Sequence, residues 1–241
     1  MSKLKIYSLP IMKLTDSRRR LMYLSSIEEP AEFYASIFYI EGARQKILVD
    51  AGGSAEALAS RGLPVEHIAY PEEALKKLGV NPGDIDMVIC THLHIDHNAL
   101  GALYQHARFV VQKKELEAAL NPHPIEAPIF APKDSFAGLD FEVINGDTQV
   151  IDGVNILFTP GHTSGGQSVK VNTEKGKVII SGLCTTRNNF SPQELDPRSM
   201  PVIPPSIHLD VREAYDSLLR IKKEADIIIP LHGLEPGGIY S

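Results

Sequence analysis

The sequence has 241 residues, 43% of them hydrophobic and 22% charged, with a formal net charge of -6. That length can bury a substantial core, and the acidic balance argues against nucleic acid or an anionic membrane surface as a partner. Two cysteines, Cys90 and Cys184, are too few for a disulfide framework, so a reducing, cytoplasmic setting is expected. No apolar run reaches bilayer length, and the start through Ile6 is too short in apolar residues for a signal peptide.

In chain order, Lys5 to Leu9 reads as a strand, followed by a polar, weakly patterned stretch through Pro30. Its Arg18-Arg19-Arg20 run reads as a solvated face. Two apolar runs, at 36–40 and 46–49, flank a turn containing Gly42 and predict a hairpin. The second run ends in Asp50-Ala51-Gly52-Gly53, where Asp50 either anchors a turn or stands behind a site. Pro71 to Leu78 predicts a helix, with proline and acids at its start and lysines at its end. Met87 to Cys90 predicts a buried strand, Asn98 to His106 a helix, Arg108 to Val111 a strand and Lys114 to Leu120 a helix.

Prolines 122, 124, 128 and 132 then mark a loop. Strands are predicted at 141–144, 149–151 and 154–159, and a hairpin joins 168–171 to 177–181. A second proline-rich stretch holds Pro192, Pro197, Pro201, Pro204 and Pro205. Asp210 and Glu213 have capping-box spacing ahead of Val211, Ala214, Leu218 and Ile221, which share one helical face. Ile227 to Ile229 predicts a last buried strand. No repeat or composition break divides the chain, so residues 1–241 read as one domain of packed sheets covered by helices.

The chemistry gathers at Thr91-His92-Leu93-His94-Ile95-Asp96-His97, directly after the Met87 strand. Three histidines and an aspartate fall within six residues, where imidazole nitrogens and carboxylate oxygens suit zinc, and also iron or manganese. His162, in Pro160-Gly161-His162-Thr163, and His232, in Pro230-Leu231-His232-Gly233, also follow apolar strands in glycine-containing loops. Loops at one end of a strand framework converge on a common cleft. His67, His106, His123 and His208 lack this context and read as surface or loop residues, although the loop before His208 can reach a cleft.

The string His-x-His-x-Asp-His, then Pro-Gly-His-Thr, then a late strand-loop histidine resembles the metallo-β-lactamase superfamily. The resemblance runs from Ile47-Leu48-Val49-Asp50 to His232. Within that superfamily it leans toward the N-acyl homoserine lactonase family, through Thr91-His92-Leu93-His94, Gly161-His162-Thr163, Asn189-Phe190 and the stretch from Ala225 to His232. It implies an α/β fold, an αβ/βα sandwich of two central sheets flanked by helices, with metal at one edge. By motif match, His92, His94 and His162 would hold one metal, and Asp96, His97 and His232 a second. The implied cofactor is one or two Zn2+, with iron or manganese as substitutes, acting on a small molecule in a monomer or homodimer. The implied chemistry is hydrolysis of an ester-like bond, lactones first, by a metal-bound hydroxide, with Asp96 handling a proton at the leaving oxygen.

The sequence also departs from that family. The aspartate that bridges the metals is missing: counting back from Asn189-Phe190 puts its position on Gly182, and matching on Ser-Gly puts it on Leu183. Thr185 stands where lactonases carry a tyrosine that helps hold the substrate carbonyl, and Gly233 where relatives commonly have aspartate. Two weakly held metals, one metal only, or recruitment of Cys184 as a thiolate ligand are all open. Two further readings follow: a mononuclear iron oxidoreductase of the persulfide dioxygenase type, and a degenerate metal-containing binding protein. Specificity is expected from the loops near residues 121–134 and 191–206.

Overall fold

The computed structural model describes residues 4–25, 28–192 and 200–241. Its strands are β1 (Lys5–Ser17), β2 (Pro30–Glu41), β3 (Ile47–Val49), β4 (Val65–His67), β5 (Met87–Ile89), β6 (Arg108–Gln112) and β7 (Asp140–Ile144), followed by β8 (Thr148–Ile151), β9 (Val154–Phe158), β10 (Gln167–Thr173), β11 (Gly176–Ile180), β12 (Ile227–Ile229), β13 (His232–Gly233) and β14 (Gly238–Tyr240). The helices are α1 (Arg18–Leu21), α2 (Ala55–Ser60), α3 (Pro71–Lys76), α4 (Ile95–Asn98), α5 (Lys113–Leu120), α6 (Arg187–Phe190) and α7 (Val211–Glu224). One sheet has the order β14-β1-β2-β3-β5-β6-β7, with β4 added to β1 and β13 to β2. The other has the order β12-β11-β10-β9-β8.

Alternation along the strands builds the layers. In β2, Phe38 and Ile40 face the second sheet, where Val154, Ile156, Val169 and Val178 meet them. Ile37 and Tyr39 point the other way, into a core shared with Leu58 of α2 and Leu75 of α3. In β11, Val178 and Ile180 face inward, while Ile179 packs outward with Ala214, Leu218 and Ile221 of α7. Each such fully buried side chain stabilises by roughly 1.5–3 kcal/mol before chain entropy is counted. The result is the expected α/β arrangement: helices, two mixed sheets face to face, helices. Both predicted hairpins form as antiparallel pairs, Ile40 opposite Ile47 and Thr173 opposite Gly176. Parallel β3, β5 and β6 end together, which sends Asp50 and the histidine stretch to the same edge. Among the described residues no helix is long and apolar enough to cross a membrane.

Several expectations need correction. The first strand runs on to Ser17, because a bulge between Pro10 and Met12 shifts the register and breaks the alternation. Much of the stretch read as unpatterned is therefore sheet. The helix expected over 98–106 is instead the short α4, which starts inside the histidine stretch with His94 at its N-cap, followed by a separate turn at Gly101–Tyr104. Helix α2, capped by Ser54 accepting from the Ala57 N–H at 3.1 Å, and the short strands β4, β13 and β14 carry too little periodicity to be read. Asp210 caps α7 by accepting from the Arg212 and Glu213 N–H groups. Its own N–H goes to Gly161 O at 3.1 Å, so Glu213 does not complete the box. Pro197 and the middle of the 191–206 loop lie outside the described residues, as does the chain start through Lys3.

Candidate metal centre

β5 delivers Thr91 and His92 to the sheet edge, and a hydrogen-bond chain fixes how His92 stands. Asp50, with φ of 62°, turns its fully buried carboxylate back under the loop. Asp50 Oδ1 accepts from the Thr91 N–H at 2.7 Å and Oδ2 from the Thr91 hydroxyl at 2.8 Å. The Thr91 hydroxyl has a single proton, already given to Asp50. Its 3.1 Å contact with His92 Nδ1 therefore makes Nδ1 the donor, and the lone pair lies on Nε2. That Nε2 is buried without a hydrogen-bond partner. His162 is fixed the same way, its Nδ1–H donating to Ile207 O at 2.7 Å. Asp50 is thus both a turn anchor and a support of the site.

The rings of His92, His94 and His162 stand 4.5–4.8 Å apart, centroid to centroid, with ligand atoms close enough to hold one ion. The second group lies beside it, the His97 and His232 rings 5.0 Å apart. Asp96 Oδ2 lies 3.2 Å from His97 Nε2 and 3.5 Å from His232 Nε2, and those two nitrogens are 3.3 Å apart. His92 also stands 4.8 Å from the His97 ring, so the two groups adjoin. All six residues named from the sequence meet here. His67, His106 and His123 are exposed and belong to neither group of clustered ligand atoms among the described residues, and His208 turns its Nδ1 to Pro205 O, leaving Ile207 as that loop's contribution.

Electrostatics show what these groups want. Burial, reinforced by neighbouring imidazoles, drives His92 and His94 well below the ordinary histidine range, His162 to about 4 and His232 to about 3. Burial would also lower His97 and raise Asp96, but their mutual attraction wins: His97 is raised and Asp96 falls well below the usual carboxylate range. The Asp96 carboxylate thus favours positive charge beside it, which a divalent cation would supply in place of a proton. An orphaned inward lone pair and a donor set of imidazoles with a carboxylate fit such an ion.

Three supports were not legible. Glu115 of α5 is fully buried, and its carboxylate clamps two loops together. Oε1 accepts from the Leu93 N–H at 2.8 Å, and Oε2 from the Thr163 hydroxyl at 2.6 Å and the Gly165 N–H at 3.1 Å. Burial raises it to about 7 against those bonds. Gln167 of β10 ties the sheets together through Cys90 O at 2.7 Å and Val110 O at 3.2 Å. Asn98 donates to Asp50 Oδ1 at 2.8 Å and to His92 O at 2.6 Å. Glu115→Gln would turn an amide toward N–H and O–H donors. It should cost about 2–3 kcal/mol, lower Tm by roughly 5–10 °C and weaken metal binding about tenfold, read by thermal melts and metal titration.

Neither position to which the sequence assigns the bridge offers a ligand. A Cβ on Gly182 would lie 1.8 Å from Gln167 O, so no side chain fits there, and Leu183 is buried in the α7-side core. The Thr185 hydroxyl sits within 3.0 Å of Ser181 Oγ and 3.2 Å of Leu183 O, turned away from the cleft. Cys184 does line the cleft, but burial and then Asp96 hold its thiol well above the usual range. Among the described residues, the groups of clustered ligand atoms do not include it. The Cys90 thiol, more deeply buried, belongs to the core.

The cleft above the cluster holds about 130 Å3, with His94, Asp96, His162 and His232 at its floor. A larger cleft of about 520 Å3 along Ile227–Pro230 contains none of the six residues.

Comparison with known proteins agrees with this geometry. The Bacillus thuringiensis subsp. kurstaki N-acyl homoserine lactonase AiiA is 30% identical over 216 residues, covering 82% of this chain and 80% of that protein. A crystal structure of a B. thuringiensis AiiA mutant with N-decanoyl-L-homoserine bound at the active site superposes with a TM-score of 0.78 at 25% identity, covering 97% of this chain and 94% of that one. An N-acyl homoserine lactone hydrolase with N-hexanoyl-L-homoserine bound at its catalytic metal centre gives a TM-score of 0.78 at 26% identity, with the same coverage. Residues 31–232, which span every member of the cluster, match the Metallo-beta-lactamase superfamily, and the chain belongs to that family.

Proposed function

We propose that the chain, acting as one domain, is a metal-dependent hydrolase of a small ester-like substrate, with lactones the first class to test. The observation that carries this reading is the meeting of two ligand triads at the floor of an apolar cleft. His92, His94 and His162 would hold one ion, and Asp96, His97 and His232 the other, with zinc favoured by the donor set and iron or manganese as alternatives. When bound, such ions polarise a carbonyl and acidify water toward neutrality. The chain's own residues do the rest. Asp50 and Thr91 hold His92 in the right tautomer, and the apolar walls orient the substrate and exclude water. Asp96, which lines the cleft, carries or returns the proton at the leaving oxygen. AiiA and the lactone hydrolase support lactones as substrates through their names and bound products.

A mononuclear iron oxidoreductase would need only the first triad, so the close grouping of Asp96, His97 and His232 weighs against it. The test is a panel of lactones, esters and thioesters, assayed before and after chelation and after adding back zinc, iron or manganese. Hydrolysis that is lost on chelation and restored by metal is expected. No hydrolysis of any class by metal-loaded protein would overturn the reading.

A further inference from the structure

The cleft's walls and its cations point to the shape and charge of the substrate. Leu14, Leu21, Phe33, Leu58, Leu63 and Ile129 form an apolar lining above the triads. Two arginines enter that lining, Arg20 and Arg61. Arg20, read from the sequence as part of a solvated run, is neutralised locally: its Nη1 lies 3.1 Å from Asp16 Oδ2, which also faces the cleft. Arg61 differs. It follows α2 directly, and its Nη1 donates to the backbone carbonyl of Pro128 in the proline-rich loop. Arg61 is exposed to solvent at the cleft, and among the described residues no carboxylate pairs with it, so its charge is met only by water and the Pro128 carbonyl. A guanidinium has five donors in a planar fork, and a carbonyl uses only part of it.

A solvent-facing cation with no carboxylate partner, beside an apolar wall, is matched by an anion carried on an apolar body, taken up through charge-assisted and bidentate hydrogen bonds. We propose that Arg61 forms an anion subsite, so that the substrate is an ester or lactone bearing a carboxylate or similar acidic group across an apolar spacer from the scissile carbonyl. This rests on the hydrolase reading for which end meets the metals, but not for the anion preference itself. It separates the chain from a site shaped for a neutral acyl tail alone, and it gives the 121–131 loop a role through Pro128.

The test is calorimetric binding of 1-octanesulfonate and of neutral octanamide to metal-loaded wild type, Arg61→Gln and Arg61→Lys. The two probes match in chain length, and binding is read without turnover. Wild type should bind the sulfonate at least about tenfold more tightly, as expected for a charge-assisted pair. Arg61→Gln should bring the two probes within roughly twofold of each other, and Arg61→Lys should keep part of the preference, with bound metal unchanged in both variants. Equal binding of the probes by wild type, no binding of either, or a preference that survives Arg61→Gln would each overturn the subsite. A sulfonate preference in wild type that Arg61→Gln abolishes, beside no hydrolysis of any substrate class by metal-loaded wild type, would count against the hydrolase reading alone.

Discussion

Replacing His94 or His232 with alanine is expected to strip metal from the protein and reduce hydrolysis of any substrate found to the uncatalysed background. The two positions come from different loops, and each belongs to a different triad: His94 stands 4.8 Å from His162, and His232 Nε2 lies 3.5 Å from Asp96 Oδ2. Removing a direct ligand should weaken metal affinity by more than the roughly 10–100-fold that loss of a supporting group costs. The fold should survive, because neither side chain belongs to the three apolar cores. Elemental analysis, turnover and a thermal melt on each variant check this together. If His94→Ala alone lost metal, the second triad would not be a site.

The second large effect is at Gly182. Placing an aspartate there, one of the two positions to which the sequence assigns the bridge, is expected to harm the protein rather than complete its centre. A Cβ at that position meets Gln167 O at 1.8 Å and Gln167 C at 2.5 Å, both backbone atoms of a central strand. Gln167 cannot give way freely, since its N–H donates to Thr91 O at 2.9 Å, one residue before His92. Overpacking against backbone should cost at least about 3 kcal/mol, or roughly 6–12 °C in Tm for a chain of this size. Gly182→Ala carries the same clash without a charge and should fall by a similar amount. Thermal melts and metal titration of both variants check this. A gain in bound metal by Gly182→Asp alone would mean that the loop moves to seat a bridging carboxylate.

What could be read from the sequence was local. The histidine stretch, the Gly161-His162 turn and His232 each sit directly after an apolar strand, and short-range pattern suffices to find them. The supports were hidden because their roles arise from distant contacts. Glu115 sits in a helix whose pattern shows only a charged first turn, yet its partners are Leu93, Thr163 and Gly165. Gln167 lies just before the strand predicted at 168–171, and its partners, Cys90 at the end of β5 and Val110 in β6, belong to the other sheet's edge. The far half of β1 was lost for a different reason: a bulge breaks the period-two pattern just where a polar stretch begins. Gly161 shows the limit from the other side. The sequence marks it as a turn, but only the fold shows that its φ of 116° and the backbone N of Ala214, 2.1 Å from where a Cβ would stand, leave no alternative to glycine.

The central claim is that the two triads hold metal. It is tested most directly by metal content per chain, measured on purified wild type after zinc loading and dialysis, beside His94→Ala and His232→Ala. At least one tightly held divalent ion in the wild type, with a clear loss in each variant, is the predicted result. A wild type that retains none, or variants that retain as much as the wild type, would contradict it.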